Sequence, residues 1–247
     1  MSSRTFRILT LLGTRPEAIK LAPVVQALAR DPAFDSRVCV TAQHRELLDT
    51  ALSTFGLRPD VDLDLMRPRQ GVTTFVANAL KTLGPVLAES APDLVIVQGD
   101  TSTAFVAALA AFYQKVPVAH VEAGLRTQRK YAPFPEEMNR RLTDALSDFC
   151  FAPTEHAARN LLNEGVPSHR VWMTGNTVVD ALQQLLKGGA ATKLERLELG
   201  FDPTRSRYLL VTAHRAMGAG ADLYGDGRAA ERIVDILQRE LVLMKTR

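Results

Sequence analysis

Short apolar segments alternate with longer segments of helical period along most of this chain, and that alternation leaves few folds open. LVIVQG (Leu94–Gly99) is continuously apolar up to its end, as a strand buried on both faces of a parallel sheet must be. Strands are likewise expected at FRILTLL, SRVCVTA, PVAHVE, FCFA and RVWMTG, with a half-exposed strand at VDLDL, where apolar and acidic residues alternate. Helical patterns fill the gaps: Pro16 to Arg30, Arg45 to Phe55, Thr73 to Glu89, Ser102 to Gln114, Pro135 to Ser147, Thr154 to Glu164, and onward from Thr177. Such repetition predicts an α/β fold with a doubly wound parallel sheet. Ligands of these sheets bind beyond the carboxyl ends of the strands, so chemistry is sought among the polar residues there.

The chain has 247 residues, enough to bury a sizeable core as one large domain or two small ones. A net charge of +3 with no basic run or aromatic-spaced basic stripe gives no reason to expect nucleic acid as a partner. No apolar stretch approaches the length of a membrane span, and the N-terminal apolar run is too short for a signal peptide. A cytoplasmic protein is expected. The two cysteines, Cys39 and Cys150, lie inside apolar runs and read as buried free thiols; a metal site would need more ligands.

Four polar clusters follow strands. In G-T-R-P-E (Gly13–Glu17), Gly13 permits a tight turn, Thr14 can cap, and Pro16 suits the first helical turn. The helix start and Arg15 together also suit an anion, and a capped turn or an anion site are both open. No GxGxxG occurs there, which argues against a dinucleotide. In Q-G-D-T-S-T (Gln98–Thr103), Asp100 is a candidate base or ribose ligand, although the pattern alone reads more simply as a helix cap. In H-V-E-A-G-L-R-T (His120–Thr127), Glu122 ends a strand; in the PEE that follows, Glu136 and Glu137 occupy a first helical turn, where acids are favoured anyway. The ensemble of acids with His214 at one sheet edge is what suggests acid–base chemistry. In T-G-N-T-V-V-D (Thr174–Asp180), Thr177 and Asp180 have the spacing of a capping box. His156 and His169 are isolated and read as surface residues; His44, in T-A-Q-H-R-E, ends a strand.

Seven motifs in order carry a family resemblance: GTRPEAIK (Gly13–Lys20), TAQHRELLD (Thr41–Asp49), GDTSTA (Gly99–Ala104), HVEAGLRT, FPEEMNR (Phe134–Arg140), TGNTVVDAL (Thr174–Leu182) and VTAHR (Val211–Arg215). Together they closely resemble the non-hydrolysing bacterial UDP-N-acetylglucosamine 2-epimerases. The resemblance implies a Rossmann-like half of a two-domain, B-type glycosyltransferase-like (GT-B) fold with UDP-sugar in the cleft, and homodimers. It implies inversion at sugar C2 to UDP-N-acetylmannosamine, by elimination of UDP and re-addition, with no cofactor and no obligatory metal. Residue by residue, it makes Asp100, Glu122 and Glu136 the acid–base carboxylates. It makes His214 a diphosphate or leaving-group partner, and Arg15 and Lys20 substrate ligands. Gln43, His44, Arg69 and Gln70 resemble positions around a regulatory UDP-sugar site.

The C-terminal part departs from the family. After the strand Tyr208–Thr212 and His214-Arg215, the family's Asp-Ser-Gly-Gly…Glu-Glu segment does not follow. Instead, residues 216–237 resemble the family's closing turn and helix, Y-G-D-G opening a helix with Asp226 able to cap and an apolar face at Ala229, Ile233, Val234, Ile236 and Leu237. The expected organisation is a Rossmann-like domain over 1–186, a connector and first strand of a deleted second domain over 187–215, and a turn and helix over 216–247 that pack back. Gly218 and Gly220 as a dinucleotide loop fail at the sixth position, which is Leu223. Two function classes remain: a 2-epimerase with little or no turnover, or an inactive UDP-sugar-binding or dimerisation domain. Half of a glycosyltransferase fits the PEE and HVEAG segments less well.

Overall fold

The computed structural model describes residues 5–41, 45–67, 69–187 and 225–244. The strands are β1 (Phe6–Leu12), β2 (Phe34–Val40), β3 (Val61–Asp62), β4 (Leu94–Gln98), β5 (Val118–Val121), β6 (Phe149–Ala152) and β7 (Val171–Met173). The helices are α1 (Arg15–Arg30), α2 (Arg45–Thr54), α3 (Val72–Ser90), α4 (Ser102–Tyr113), α5 (Glu136–Leu146), α6 (Glu155–Asn163), α7 (Thr177–Lys187) and α8 (Ala229–Met244). All strand pairs are parallel, in the order β3-β2-β1-β4-β5-β6-β7. This is the expected doubly wound sheet, with its order reversing between β1 and β4.

Both sheet faces are covered, which is why the central strands are apolar throughout. Ile8, Leu12, Leu94 and Ile96 face a core shared with α1, α2 and α8. Their neighbours Leu9, Leu11, Val95 and Val97 face α3 and α4 on the other side. Successive residues of a strand point to opposite faces, so one uninterrupted apolar run serves two cores. The VDLDL segment pairs over only two residues, Val61 and Asp62, at the sheet edge, because its alternate acids are exposed and offer no second buried face. Cys39 and Cys150 are buried free thiols, as expected, and burial pushes Cys39 up to about 12.

Gly13 is needed for close approach rather than for an unusual turn: a Cβ there would collide with the hydroxyls of Thr41 and Thr103. Those hydroxyls bond each other at 2.9 Å beneath the β1–α1 turn.

Helix α8 buries Ala229, Ala230, Ile233, Val234, Leu237 and Leu241, a stripe of helical period, and packs against α1 and α7. Its attachment corrects one cap reading and adds to another. Asp180 does not cap its own helix; its Oδ1 accepts from Ala230 N at 2.9 Å and its Oδ2 from Ala229 N at 3.3 Å, so α7 caps α8. Asp226 Oδ1 accepts from Arg228 N at 3.2 Å at the entry to α8, and its carboxylate also takes both terminal guanidinium nitrogens of Arg232, at 2.8 and 2.7 Å; Arg232 donates further to Thr174 O at 3.0 Å. Asp180→Ala is expected to lower stability by about 1 kcal/mol, within the range of lost helix caps. Urea denaturation checks this; an unchanged midpoint would mean the inter-helix cap is not formed in solution.

Candidate active site at the switch point of the sheet

Where the order reverses, the turns after β1 and β4 diverge and open a crevice. A cavity of about 210 Å³ lies there, lined among others by Thr14, Glu17, Lys20, Gln98, Asp100, Thr101, Glu122 and Arg140. Three of the candidate residues, Lys20, Asp100 and Glu122, meet in it.

Glu122 stands at the end of β5 with a left-handed backbone, φ 69°. That conformation is unusual for a side chain of its size and persists only where the surroundings hold it. They do so through its carboxylate. Lys20 Nζ donates to both oxygens at 2.8 and 2.6 Å, Asn176 Nδ2 to Oε1 at 2.9 Å, and Gln98 Nε2 to Oε2. Four hydrogen bonds from three side chains make Glu122 an acceptor.

Asp100 has a different environment. Its Oδ2 pairs with Arg140 Nη2, and Asn139 Nδ2 holds its backbone carbonyl at 3.0 Å. Burial raises its carboxyl above the usual range, the nearby Glu122 adds in the same sense, and Arg140 offsets only part of the rise. The capping role that the motif suggests belongs to the next residue, since Thr101 Oγ1 accepts from Ala104 N at 3.0 Å. Asp100 is thereby left to the crevice.

Glu17 is a site residue that sequence reasoning missed. Thr14 occupies the cap position of α1, but its side chain makes no cap bond. Glu17 replaces it: its Oε2 accepts from Gly13 N at 3.0 Å and its Oε1 from Thr101 Oγ1 at 2.7 Å, so one carboxyl joins the two turns that frame the cavity. Burial pushes its pKa up, against the lowering effect of those donors. The threonine-x-x-glutamate spacing was the available signal, and it reads equally as a helix-start preference. Arg140, Asn176 and Gln98 were also missed as site residues, although each lies within a quoted motif.

The remaining candidates are dispersed. Arg15 is exposed at the start of α1. Glu136 is half-buried one turn before Arg140 on α5, outside the cavity lining. Glu137 is buried and accepts from the amides of Thr127 and Gln128 at 3.0 and 3.2 Å, so it fastens the loop before α5. Arg69 is exposed with φ 59°, and Gln70 Oε1 accepts from Arg67 N at 2.9 Å in the same turn. His214, Gln43 and His44 lie outside the described residues, as do the strand Tyr208–Thr212 and Gly218 and Gly220. His156 and His169 are exposed, as expected.

Behind the cavity lies a buried charged cluster. Asp144 of α5 accepts from His120 Nδ1 at 2.6 Å, pairs with Arg126 Nη2 at 2.8 Å, and takes the Gly124 amide at 3.2 Å. Burial would raise the Asp144 carboxyl, but His120 and Arg126 outweigh it and the net direction is down. Arg126 also forms a forked pair with Glu164 at 2.9 and 2.7 Å, which holds that carboxyl low as well. A depressed folded value means that the Glu164 contribution to stability is complete above its unfolded value, about 4.3, and is lost as pH falls through the folded one. The stability difference between the parent and Glu164→Gln should therefore stay constant from neutral pH to about pH 5 and shrink on further acidification. Urea midpoints measured across that range test it; a difference that grows in acid would contradict it.

The UDP-N-acetylglucosamine 2-epimerase family matches residues 26–223. A UDP-N-acetylglucosamine 2-epimerase of Yersinia pestis is 52% identical over 218 residues, which is 87% of this chain and 58% of that protein. The crystal structure of UDP-GlcNAc 2-epimerase from Neisseria meningitidis bound to UDP-GlcNAc superposes with a TM-score of 0.73 at 52% identity, over 77% of this chain and 52% of the other. A lipopolysaccharide outer core galactosyltransferase, 11% identical over 68% of this chain and 45% of its own, shares the fold alone with a TM-score of 0.50. The described residues thus form a Rossmann-like half of a GT-B-like fold. The chain spans 58% of the length of the curated relatives it matches first. Among the described residues no helix is long and apolar enough to cross a membrane. With the motifs, the switch-point cavity and these likenesses agreeing, the chain belongs to the UDP-N-acetylglucosamine 2-epimerase family.

Proposed function

We propose that the switch-point cavity is one wall of a UDP-N-acetylglucosamine site, serving inversion at sugar C2 by elimination and re-addition of UDP. The observation that carries this reading is the pairing of two unlike carboxylates, Glu122 and Asp100, within one cavity bordered by Lys20 and Arg140. Elimination needs one group to take the C2 proton and an acid near the departing phosphate oxygen, and re-addition needs a proton delivered to C2 from the opposite face. Glu122, an acceptor from three side chains, suits the first task. Lys20 now sits on both its oxygens, and an incoming diphosphate would draw the ammonium away and free the carboxylate. Asp100, whose carboxyl retains its proton more readily, suits donation towards the departing phosphate oxygen. Glu136, one turn before Arg140, is the third candidate, and exposed Arg15 would meet the nucleotide.

Turnover by this chain is expected to be low or nil. Sites that enclose a small molecule measure about 300–1,000 Å³, whereas this cavity is about 210 Å³. Substrate held against it would stay largely in water, where charged contacts weaken and positioning is lost. The same observation favours a second reading, an inactive UDP-sugar-binding domain. Calorimetric titration with UDP and a coupled assay for UDP-N-acetylmannosamine at high protein concentration separate the two. Sustained turnover abolished by Glu122→Gln would establish the enzyme; UDP binding without turnover would favour the binding domain; no heat with UDP would count against the site.

A further inference from the structure

We propose that His120 is a positioning residue that holds the Asp100 turn in register with Glu122. This rests on the reading of those two carboxylates as the substrate-facing pair. His120 lies in β5, fully buried, two residues before Glu122, and it does not line the cavity. Its Nε2 is 2.7 Å from the carbonyl oxygen of Gly99, the residue before Asp100. A carbonyl only accepts, so Nε2 is the donor.

The need for this bond comes from the backbone. At the end of β4 the chain leaves the ladder through Gly99 with φ 71°. Gly99 N still donates to Val121 O at 3.0 Å, but its carbonyl has left the ladder and is buried. The imidazole supplies the donor. Gly99 is therefore clamped to β5 on both sides, by Val121 through its amide and by His120 through its carbonyl. Asp100 follows the clamped residue on one strand, and Glu122 follows Val121 on the other. The ring is itself fixed by Asp144 at Nδ1, and Asp144 is held by Arg126. A shift of the ring would move one carboxylate relative to the other without touching any ligand.

Two substitutions separate this role from mere core filling. The amide of glutamine reaches the position of Nε2 and can still donate to Gly99 O; that of asparagine reaches only the position of Nδ1. Both lose packing and one partner, so both should be less stable. In the full chain at a temperature where each is folded, His120→Asn should shift the Gly99 amide and Asp100 carboxyl NMR signals and weaken UDP binding by about tenfold, the equivalent of 1.4 kcal/mol. His120→Gln should leave those signals near their parental positions and UDP affinity within about twofold. The proposal is overturned if the asparagine variant keeps the parental Gly99 and Asp100 signals, or if both variants shift them equally. Should the parent chain bind no UDP, or Asp100→Asn leave binding unchanged, the reading of the site fails instead. The two NMR signals then still decide whether His120 positions the turn.

Discussion

Replacing Asp144 with alanine is expected to lower the unfolding free energy by about 3–5 kcal/mol, the usual cost of removing one partner from a buried ion pair. The side chains of Arg126, His120 and Asp144 are at most 2% exposed, so water cannot replace the lost carboxylate. Arg126 would keep Glu164 as a partner, but His120 would keep only Gly99 O, and the Gly124 amide would lose its acceptor. At about 2–4 °C per kcal/mol for a chain of this size, the midpoint should fall by about 6–20 °C. Asp144→Asn should cost less, because its carbonyl oxygen still accepts from one neighbour. Thermal melts of both variants check this. A loss below about 1 kcal/mol for alanine would mean that the cluster is hydrated in solution.

The second large effect concerns α8. Leu237→Ala should destabilise by about 2–5 kcal/mol, the transfer cost of the removed methyls plus the cavity they leave. Leu237 is fully buried in the core shared by α1, α2 and the sheet. Gln238→Ala, one position on and exposed, should stay within about 0.5 kcal/mol. Urea denaturation of the pair tests whether this helix belongs to the cooperative unit. Equal, small effects would show that it detaches before the domain unfolds. The extra attachments made by Asp180, Arg232 and the α7 face predict that it does not.

Most elements were legible because their signals are local. β1, FRILTLL, and β6, FCFA, end where the sequence pattern ends. For β4, an apolar run bounded by Gly99 leaves no other strand boundary. The acids at the strand ends were legible for the same reason, since a polar residue directly after a buried strand of a parallel sheet stands at the ligand edge. The caps were not. Thr14 and Asp180 each have a spacing that suits their own helix start, yet each side chain competes for partners that only folding brings near. Thr14 makes no cap bond while Glu17 fastens the turn before α1, Asp180 turns to α8, and Asp226 divides its carboxylate between the Arg228 amide and Arg232.

By itself the sequence determined the parallel sheet, the positions of Asp100 and Glu122 at its carboxyl edge, and the family. These follow from periodicity and from motifs read along one strand or helix. Only the tertiary structure decided the partners: Lys20 and Asn176 on Glu122, Arg140 on Asp100, Glu17 across two turns, and His120 beneath Gly99. Most of those contacts join residues far apart in the chain, and a hydrogen bond a few ångströms long leaves no trace in sequence spacing. It depends on sheet order and helix placement, which are set by burial of the whole core.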